Sequence, residues 1–370
     1  METKKYRFDE VTINFDKKRI PLSSAQREKR QGTFRYYGAQ GVIDHVDDYI
    51  YDGTYLLIAE DGENLKSKKQ NIAQVVDGQF WVNNHAHIVQ GNEQCDTRFL
   101  CYLINSMDLS GYVTGSAQPK LSQANLNAIT LSLPTLVEQK RIVEYLYMLD
   151  QKIDANRQIN DNLADLLQTV YQERFGDTSL IANQGILSDI CSYSRDKVAV
   201  SELNVSTYFS TENMLSGKAG STEATSLPTT SQTTACHKGD TLISNIRPYF
   251  KKIVYCEDNC GCSTDVLCFT PSQPRYSAYL FSTLYADKFF AFMVAGSKGT
   301  KMPRGDKQQI MTYPVVLPSE EELAGFNTIA SPLLEQIYSN SAENKRLSIL
   351  RDTLLPKLMS GEIDVSAIQL

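Results

Sequence analysis

The sequence predicts an α+β fold arranged as an internal repeat, in which each of two similar globular domains is followed by a long helical segment. The length of 370 residues agrees with two or three domains. Helical segments begin after Leu133-Pro134 and again after Leu317-Pro318, 184 residues later, and shorter matches precede both. The predicted boundaries are 1–133 for the first globular domain, 134–176 for a central helical spacer, 177–317 for the second globular domain and 318–370 for a C-terminal helical spacer.

Both helical segments begin with the capping-box pattern, in which a hydroxyl residue is followed three positions later by glutamate. Thr135 and Glu138 form this pattern in the first copy, and Ser319 and Glu322 form it in the second. The hydroxyl and the carboxylate each accept a hydrogen bond from an N–H group that the first helical turn leaves free. The repeated pattern therefore predicts the start of each helix.

Proline and glycine predict where these helices end. The expected stops are Gly176 for the first helix, and Pro356 with Gly361 for the second. Because Pro332 lacks the N–H that a helix interior needs, we expect it at the first turn of a new helix, capped by Ser331. The second copy is thus predicted to contain a short helix near 320–330 and a longer one over about 332–355. A helix of about 24 residues spans about 36 Å.

Apolar and asparagine residues recur every three or four positions along both helical segments, which is the spacing of a coiled-coil seam. The two regions are expected to pair antiparallel. A buried asparagine in a seam costs stability and fixes register, whereas an asparagine beside the seam is solvated; recurrence in both copies favours the seam. The predicted helix-pairing residues are Leu149, Ile153, Asn156, Asn160 and Leu163, matched by Leu333, Ile337, Asn340, Asn344 and Leu347.

The globular segments match each other more loosely. The aligned pairs are Gly115 with Gly296, Lys120 with Lys301 and Ile129 with Ile310 at an offset of 181, and Asp52–Leu57 with Lys238–Ile243 at an offset of 186. Strand-like runs at 55–59, 241–244 and 266–269 alternate with turn residues and with helical patterns at 98–108 and 276–292. This mixture predicts that both globular domains are of the α+β class.

The composition excludes several classes of protein. Apolar residues make up 42% of the chain and charged residues 22%, which excludes a wholly disordered or collagen-like protein. No run approaches 18 apolar residues, so no membrane span is expected, and the polar start METKKYRFDEVT predicts no signal peptide. The eight cysteines are expected to be reduced thiols of a cytoplasmic protein.

No pattern typical of an enzyme or of a metal site is present in the sequence. The phosphate-binding Gly-x4-Gly-Lys-Ser/Thr loop is absent, as is the Asn-Pro-Pro-aromatic or Asp-Pro-Pro-aromatic tetrapeptide that an amino-methyltransferase needs. His85 and His87 lie on one face of a predicted strand, where a structural role is favoured over metal binding. Cys256, Cys260 and Cys262 are spaced poorly for zinc, which favours ordinary buried cysteines.

Two similar modules on one chain suit a ligand with two half-sites, and DNA half-sites one helical turn apart lie about 34–36 Å from centre to centre. Arginine and lysine bind guanine or phosphate, and asparagine and glutamine bind adenine. Three places combine such residues with turns or aromatic rings; the alternatives are a packed strand, a solvated loop or a structural bridge into the helix. The candidate DNA-binding residues are Arg35, Tyr36, Tyr37, Gln40, Gln118, Lys120, Asn245, Arg247, Lys251, Lys298, Lys301 and Arg304.

Three short motifs lie near the predicted boundaries between the globular and helical segments and near the end of the second helix. They are Gly115-Ser116-Ala117-Gln118-Pro119-Lys120-Leu121, then Leu133-Pro134 followed by Glu138-Gln139-Lys140-Arg141-Ile142-Val143, and Leu354-Leu355-Pro356-Lys357-Leu358-Met359-Ser360-Gly361-Glu362-Ile363. With the layout, they resemble the specificity subunit of a type I restriction–modification system. The resemblance implies two target-recognition domains, each reading half of a bipartite DNA site in the major groove. It also implies that the helices set the spacer length and dock two modification subunits.

The same resemblance implies that the chemistry belongs to partner subunits. Modification subunits would carry S-adenosylmethionine and methylate adenine at N6, and restriction subunits would add ATP-driven translocation and cleavage, with Mg expected there too. This chain is expected to bind no cofactor and to catalyse nothing. The alternatives are a coiled-coil scaffold with two protein-binding domains, an enzyme with a site in one globular domain, and a silent or orphan specificity cassette.

The charge distribution bears on DNA binding, because a net charge of −6 by itself argues against a nucleic-acid binder. Residues 1–135 carry 15 basic and 16 acidic side chains, and residues 177–318 carry 13 and 12. Residues 136–176 carry 5 and 7, and residues 319–370 carry 4 and 8. The excess negative charge therefore lies on the helical segments. We expect the chain to bind DNA weakly unless partners supply positive charge.

Overall fold

A computed structural model describes residues 2–67, 70–115, 118–176 and 183–363. The chain divides into two compact units. The first unit comprises Met1–Ile153 with Lys345–Leu370, and the second unit comprises Asp154–Asn344. Each unit contains strands, short helices and parts of two long helices, so the α+β class and the two long helical regions predicted from the sequence are confirmed.

The first unit is built on a six-stranded sheet. The strands are β1 (Lys4–Arg7), β2 (Thr12–Asn14), β3 (Gln31–Gly38), β4 (Gly41–Val46), β5 (Tyr51–Ala59), β6 (Ala73–Val82), β7 (Ala86–Gly91) and β8 (Thr130–Leu133). The helices are α1 (Ser24–Glu28), α2 (Asn64–Ser67), α3 (Thr97–Ser106), α4 (Gln123–Asn127) and the start of α5 (Leu136–Phe175). The sheet has the order β2-β7-β5-β6-β3-β4, with β3 and β6 parallel and the other neighbours antiparallel. β1 and β8 form a separate antiparallel pair.

Both faces of this sheet are buried, because successive side chains of a strand point to opposite faces. On one face, Leu56 and Ile58 of β5 share a core cluster with Phe99 of α3. On the other face, Leu57 shares a second cluster with Phe80 of β6. The strand at 55–59 predicted from the sequence is therefore the centre of the first unit.

The second unit contains two four-stranded sheets and a strand pair. The strands are β9 (Gln184–Ile186), β10 (Cys191–Tyr193), β11 (Lys197–Ala199), β12 (Tyr208–Phe209), β13 (Gln232–Cys236), β14 (Thr241–Ser244), β15 (Ile253–Tyr255), β16 (Cys260–Cys262), β17 (Val266–Pro271) and β18 (Pro314–Val316). The helices are α6 (Leu187–Ile190), α7 (Ser277–Tyr285), α8 (Asp287–Ala295), α9 (Lys307–Ile310) and the part of α10 (Glu320–Ser360) that precedes Lys345. The sheet orders are β10-β17-β14-β15 and β11-β13-β16-β12, and β18 pairs with β9.

The internal repeat is visible in the order of the elements. In each unit a short N-terminal strand pairs antiparallel with the strand that precedes a long helix, β1 with β8 and β9 with β18. The predicted strands at 241–244 and 266–269 are confirmed as β14 and as part of β17. The helical pattern at 98–108 corresponds to α3, and the pattern at 276–292 is divided between α7 and α8.

Both long helices begin at the predicted capping boxes, which the structure confirms. The backbone N–H of Thr135 donates to Glu138 Oε2 at 2.9 Å, and the N–H of Glu138 donates back to Thr135 Oγ1 at 3.4 Å. Ser319 and Glu322 form the same reciprocal bonds at 2.8 and 3.3 Å. The two copies therefore satisfy the free N–H groups of the first turn in the same way.

The predicted helix break at Pro332 is wrong, because α10 continues through this residue. Phe326 and Ala330 before the proline and Leu334 after it are at most 4% exposed and belong to one core cluster. Burial of this continuous apolar face offsets the hydrogen bond that proline removes from the helix. For the same reason Pro356 does not end α10, whose next turn contains the buried Leu358.

Glycine follows the last residue of each long helix, as predicted. α5 ends at Phe175 before Gly176, and α10 ends at Ser360 before Gly361, which has a φ of +77°. The helices contain 40 and 41 residues, so each is about 60 Å long and not the expected 36 Å. The helices are therefore much longer than the distance of about 34–36 Å between DNA half-sites one helical turn apart. Within the described ranges, no helix combines the length and the apolar character needed to cross a membrane.

The recurring asparagines form hydrogen bonds between α5 and α10 within the second unit. Asn156 Nδ2 donates to Asn344 Oδ1 at 2.9 Å, and Asn340 Nδ2 donates to Asn160 Oδ1 at 2.8 Å. Asn156 and Asn340 are 1% and 7% exposed. Because residue numbers fall along α10 as they rise along α5, the helices pair antiparallel. Asn156 matches Asn340 in the repeat, but its hydrogen-bond partner is Asn344. In this unit, the asparagines therefore pair across the two copies with a shift of one position.

The other predicted helix-pairing residues are buried or half-buried. The set is Leu149, Ile153, Leu163, Leu333, Ile337 and Leu347. Within the first unit, α5 and α10 are also joined by an ion pair between Arg351 Nη1 and Asp150 Oδ1 at 2.8 Å. Tyr102 of α3 donates to the other oxygen of Asp150 at 2.5 Å. Polar pairs therefore accompany the apolar seam in both units.

Candidate nucleic-acid interface

Each unit contains a short loop closed by two backbone hydrogen bonds. The first loop, Thr114–Lys120, is closed between its end residues by N–H···O bonds of 2.9 and 2.8 Å. The second loop, Lys298–Arg304, is closed in the same way by two bonds of 2.9 Å. Ser116 and Ala117, which the sequence motif includes, lie outside the described residues. Both loops thus hold candidate DNA-binding residues in the same backbone frame.

Each loop is bound to the chain that follows a central strand. In the first unit, the N–H of Gly62 donates to Pro119 O at 3.2 Å, after β5. In the second unit, the N–H of Arg247 donates to Pro303 O at 2.7 Å, after β14. Antiparallel β-bridges join Asp61 to Lys120 in the first unit and Ile246 to Arg304 in the second. The same two segments therefore meet in both units.

This geometry corrects the predicted alignment of the loops. Lys120 corresponds to Arg304 and not to Lys301, because both close their loops, and the offset is 184 and not 181. Gly115 corresponds to Gly299, and the two have left-handed φ values of +86° and +98°. The signal was present in the sequence as Thr-Gly-Ser-Ala-Gln-Pro-Lys against Lys-Gly-Thr-Lys-Met-Pro-Arg. A glycine and a proline four positions apart identify the shared turn.

Polar side chains surround the first loop. Gln118 and Lys120 are exposed, and Lys120 Nζ lies 3.3 Å from Glu60 Oε1. Lys66, which the sequence did not single out, donates to Gly115 O at 2.8 Å. A β-carbon built on Gly62 would lie 3.6 Å from the Nε2 of Gln40. The structure therefore brings Gln40, Gln118 and Lys120 to one place.

The remaining candidates of the first unit lie elsewhere or are buried. Tyr36 is fully buried, and its hydroxyl accepts a hydrogen bond from the N–H of Leu22 at 2.9 Å. Tyr37 is 4% exposed and belongs to the core cluster of β5 and β6. We therefore withdraw both rings as DNA contacts, since they stabilise the sheet. Arg35 is exposed, and its guanidinium donates to Asp77 O at 2.8 Å.

The second loop carries more positive charge than the first. Lys301 is exposed, whereas Lys298 Nζ pairs with Asp306 at 2.5 Å and Arg304 pairs with Asp265 at 3.0 Å. The hydrogen bond and charge of Lys298 lower the pKa of Asp306, so this carboxylate stays ionised well into the acid range. Lys298 and Arg304 are therefore partly neutralised by neighbours, and Lys301 is the least constrained cation of the loop.

The turn beside this loop, Arg247–Lys251, has an unusual backbone. Arg247 and Lys251 have φ values of +50° and +51° in the left-handed region. Tyr249 and Phe250 between them are 49% and 39% exposed, with ring centroids 4.7 Å apart. Asn245, which precedes the turn, is only 7% exposed, so its amide is not a surface contact as the sequence suggested. The turn presents two cations and two rings on one short segment.

One carboxylate holds two of the cations near this turn. Asp287, at the start of α8, lies 3.0 Å from Lys251 Nζ and 2.7 Å from Lys218 Nζ. Hydrogen bonds and charge from these lysines lower the pKa of Asp287. Lys218 is itself a left-handed residue, with a φ of +65°, and the sequence did not single it out. Arg247 is not part of this ion-pair group.

His87 has a structural role in the first unit, whereas the side chain of His85 is half exposed and lies 2.7 Å from Asp61 Oδ2. His87 is 1% exposed; its Nδ1 lies 2.6 Å from Asp16 Oδ2, and its Nε2 lies 2.8 Å from Leu121 O. Burial opposes the charge of His87, but these hydrogen bonds raise its pKa. Burial also opposes the charge of Asp16, but the bonds from His87 and from the backbone lower its pKa. Because both ring nitrogens are engaged, His87 fixes the core beside the first loop.

Five of the cysteines lie together in a core cluster of the second unit. They are Cys236, Cys256, Cys260, Cys262 and Cys268, all at most 6% exposed. The Sγ atoms of Cys256 and Cys260 are 3.6 Å apart, and Cys268 Sγ donates to Asp240 Oδ2 at 3.2 Å. Throughout the described part of the chain, no group of three or more histidine, cysteine, aspartate or glutamate side chains is arranged to hold a metal ion.

Comparison with known proteins agrees with this geometry. The family model described as type I restriction modification DNA specificity domain matches residues 2–164. The specificity subunit S.HindORF215P of a type I restriction enzyme of Haemophilus influenzae is 36% identical over 138 residues, which are 37% of this chain and 35% of that protein. The EcoprrI specificity subunit of Escherichia coli is 26% identical over 125 residues, 33% of this chain and 30% of that protein. The aligned parts span about a third of the length of these relatives.

A solved structure extends the comparison to the whole chain. The S subunit of the type I restriction–modification system of M. genitalium matches with a TM-score of 0.58 and 16% identity, over 97% of this chain and 96% of that one. The fold is therefore that of the S subunits of type I restriction–modification systems. Residues 2–164 are similar to type I restriction modification DNA specificity domains.

Proposed function

We propose that this chain is the non-catalytic subunit of a type I restriction–modification complex that recognises a bipartite DNA target. The observation that carries the proposal is the repeated loop frame. In both units a glycine–proline loop is bound to the segment after a central strand, but the side chains differ. Two loops with the same backbone structure but different side chains suit a DNA site whose two halves differ in sequence.

The side chains at the two loops have the chemistry needed to bind DNA. Gln40, Gln118 and Lys120 in the first unit supply two amides and a cation. The second unit supplies Arg247 and Lys301 at the corresponding place. Amides suit the edge of adenine, whereas arginine suits the edge of guanine, and all of them can bind phosphate. The two units would therefore prefer different bases.

The partner subunits would supply the chemistry of the complex. Two modification subunits would carry S-adenosylmethionine and methylate adenine at N6, and restriction subunits would use ATP and Mg. The long helices α5 and α10 would dock these subunits and set the spacing of the half-sites. The negative charge of segments 136–176 and 319–370 favours protein contacts over phosphate contacts. This chain would bind none of these cofactors.

Mapping of methylated adenines in the host genome tests the proposal. Deletion of the gene is expected to remove methylation at one bipartite motif, and the intact gene supplied in trans is expected to restore it. In parallel, the chain purified with its modification subunits is expected to be retained on duplex DNA at low salt. Retention without methylation in the host would indicate a silent gene copy. Absence of retention at low salt would refute DNA reading and favour a scaffold.

A further inference from the structure

Arg247 occupies a backbone position that is glycine in the first unit. Gly62 has a φ of +121° and its N–H donates to Pro119 O; Arg247 has a φ of +50° and its N–H donates to Pro303 O. Glycine adopts left-handed conformations without steric cost, whereas a residue with a β-carbon does not. The repeat thus contains the residue that the turn prefers in one copy and a strained residue in the other. Local backbone structure does not explain the arginine.

The packing of the Arg247 side chain does not explain it either. Its Nη2 donates to Lys301 O at 3.5 Å, which is long for a hydrogen bond. Its Nε is buried and has no hydrogen-bond partner among the described residues. Unlike Lys251 and Lys218, Arg247 forms no ion pair with a carboxylate of the described chain. A charged donor that is so poorly satisfied costs stability, and an acceptor outside the chain would offset this cost.

A second unsatisfied atom lies two residues away in the sequence. The Oδ1 atom of Asn245, in a residue only 7% exposed, also lacks a hydrogen-bond partner within the described ranges. A β-carbon on Gly305, the residue after the second loop, would lie 2.9 Å from this oxygen. The unsatisfied acceptor and the unsatisfied donor therefore border the same loop. Both atoms lie where the loop and the turn meet.

The chemistry of the turn indicates what the acceptor is. A guanidinium group presents parallel N–H donors that match two adjacent acceptor atoms. On duplex DNA such acceptor pairs are the O6 and N7 atoms of guanine and the oxygens of a phosphate. Tyr249 and Phe250 expose aromatic surface beside Arg247, and such surface packs well against sugars and base edges. Lys301 is exposed at the same loop.

We propose that Arg247 is a specificity-determining residue of the second unit, whose guanidinium binds a paired acceptor on duplex DNA. The inference rests on the proposed function and assigns one contact to it. On binding, the guanidinium exchanges its long bond to Lys301 O for two bonds to DNA. Gly62 provides no such group in the first unit, so the contact belongs to one half-site alone.

The variant that tests this inference is Arg247→Gly, because it restores the residue of the first unit at a strained position. The full chain is purified in complex with its modification subunits, and thermal unfolding and DNA affinity are measured on the same preparation. The thermal midpoint is expected to be equal to or above that of the wild type. The affinity for target duplex is expected to fall about ten-fold or more, since arginine contacts of this kind contribute at that level. Loss of binding without loss of stability is the signature of a contact residue.

Two further variants identify the acceptor and control for charge. Arg275→Ala removes one arginine of the same unit that pairs with Glu320 at 2.6 Å, and it is expected to leave affinity unchanged. Arg247→Lys keeps the charge but loses the paired donors. If the acceptor is guanine, Arg247→Lys and Arg247→Gly both relax the methylated motif at one position of one half-site. If it is phosphate, Arg247→Lys retains most affinity, and Arg247→Gly weakens all sequences and lowers the salt slope by about one.

The outcomes separate this inference from the proposed function. Wild-type affinity and an unchanged methylated motif in the Arg247→Gly complex would overturn the inference alone. A lower thermal midpoint of Arg247→Gly would also overturn it, because the arginine would then be a structural residue. Failure of the wild-type and Arg275→Ala complexes to bind any duplex would instead refute the proposed function.

Discussion

Single residues in the left-handed region of the backbone define the two loops. Gly115 and Gly299 occupy the same position of the repeated frame, with φ values of +86° and +98°. At this position a side chain costs about 1–2 kcal/mol before any contact is considered. The surroundings differ, since an added β-carbon would lie 2.3 Å from Gln118 O in the first loop but 3.5 Å from Met302 O in the second. An added β-carbon is therefore tolerated less well at Gly115 than at Gly299.

Alanine substitution is expected to show this difference. Gly299→Ala should lower the free energy of unfolding by about 1 kcal/mol, because only backbone strain is added. Gly115→Ala should cost more, because its β-carbon also overlaps the carbonyl oxygen of Gln118. Chemical denaturation of the full chain measures both values. Gly111→Ala, at a glycine whose β-carbon would meet nothing within 4 Å, is the control with little expected change. Equal losses at 115 and 299 would contradict the overlap.

The buried pair of His87 and Asp16 predicts a pH dependence of stability. The pKa of His87 is raised above 6.5, so its contribution is complete below that pH and is lost as pH rises through the raised value. The pKa of Asp16 is lowered below 3.8, so its contribution is present above that pH and is lost as pH falls through the lowered value. The advantage of the wild type over His87→Gln should therefore be greatest between about pH 4 and 6. Denaturation series at pH 4 to 8 measure it, and a constant difference would argue against an ion pair.

At the scale of elements, the long helices are held by polar contacts within an apolar seam. Asn156 bonds to Asn344, and Asn340 bonds to Asn160, so the partners are not the residues that match in the repeat. A buried asparagine without its partner costs the desolvation of a polar group. The same seam stabilises α10 enough to include Pro332 without a break. Side-chain packing therefore overrides local helix propensity here.

Double substitutions across the seam should reveal which asparagines are partners. Asn156→Leu alone removes the donor to Asn344 Oδ1 and to Glu343 Oε2 and should cost about 1–3 kcal/mol. Asn156→Leu with Asn344→Leu removes both partners of the bond between the asparagines. Glu343 loses its bond from Asn156 in the single and in the double variant alike, so the double change should still cost less than the sum of the single changes. Asn156→Leu with Asn340→Leu, which changes two residues that are not partners, is the matched control and should be additive. Urea denaturation measures all of them, and additivity in both pairs would refute the pairing.

At the scale of the whole molecule, charge is divided between globular and helical segments. The globular segments are nearly neutral, and the helical segments carry the negative excess. Lys298 and Arg304 are paired with carboxylates, which leaves Lys301 as the cation of the second loop with the least local compensation. A small number of phosphate contacts from this chain is therefore expected, with the remainder supplied by partners.

The salt dependence of DNA binding tests this division. Each phosphate contact contributes about 0.9 to the slope of log affinity against log salt. In the complex with modification subunits, Lys301→Ala is expected to lower the slope by about that amount. Lys298→Ala and Arg304→Ala are expected to lower it less, because each also releases an unpaired carboxylate. Filter retention of duplex DNA across salt concentrations measures the slopes, and an unchanged slope in Lys301→Ala would remove this loop from the interface.

The sequence by itself determined the repeat, the capping boxes, the glycine stops and the central strands, because these depend on residues close together in the chain. It also identified the asparagines of the seam, since their spacing is periodic. Only the tertiary structure decided that Tyr36 and Tyr37 are buried and that Pro332 lies inside a helix, because burial is set by residues far away in sequence. Tertiary pairing also aligned the two loops and placed Arg247, in the left-handed region, opposite Pro303, because these contacts join residues far apart in the sequence.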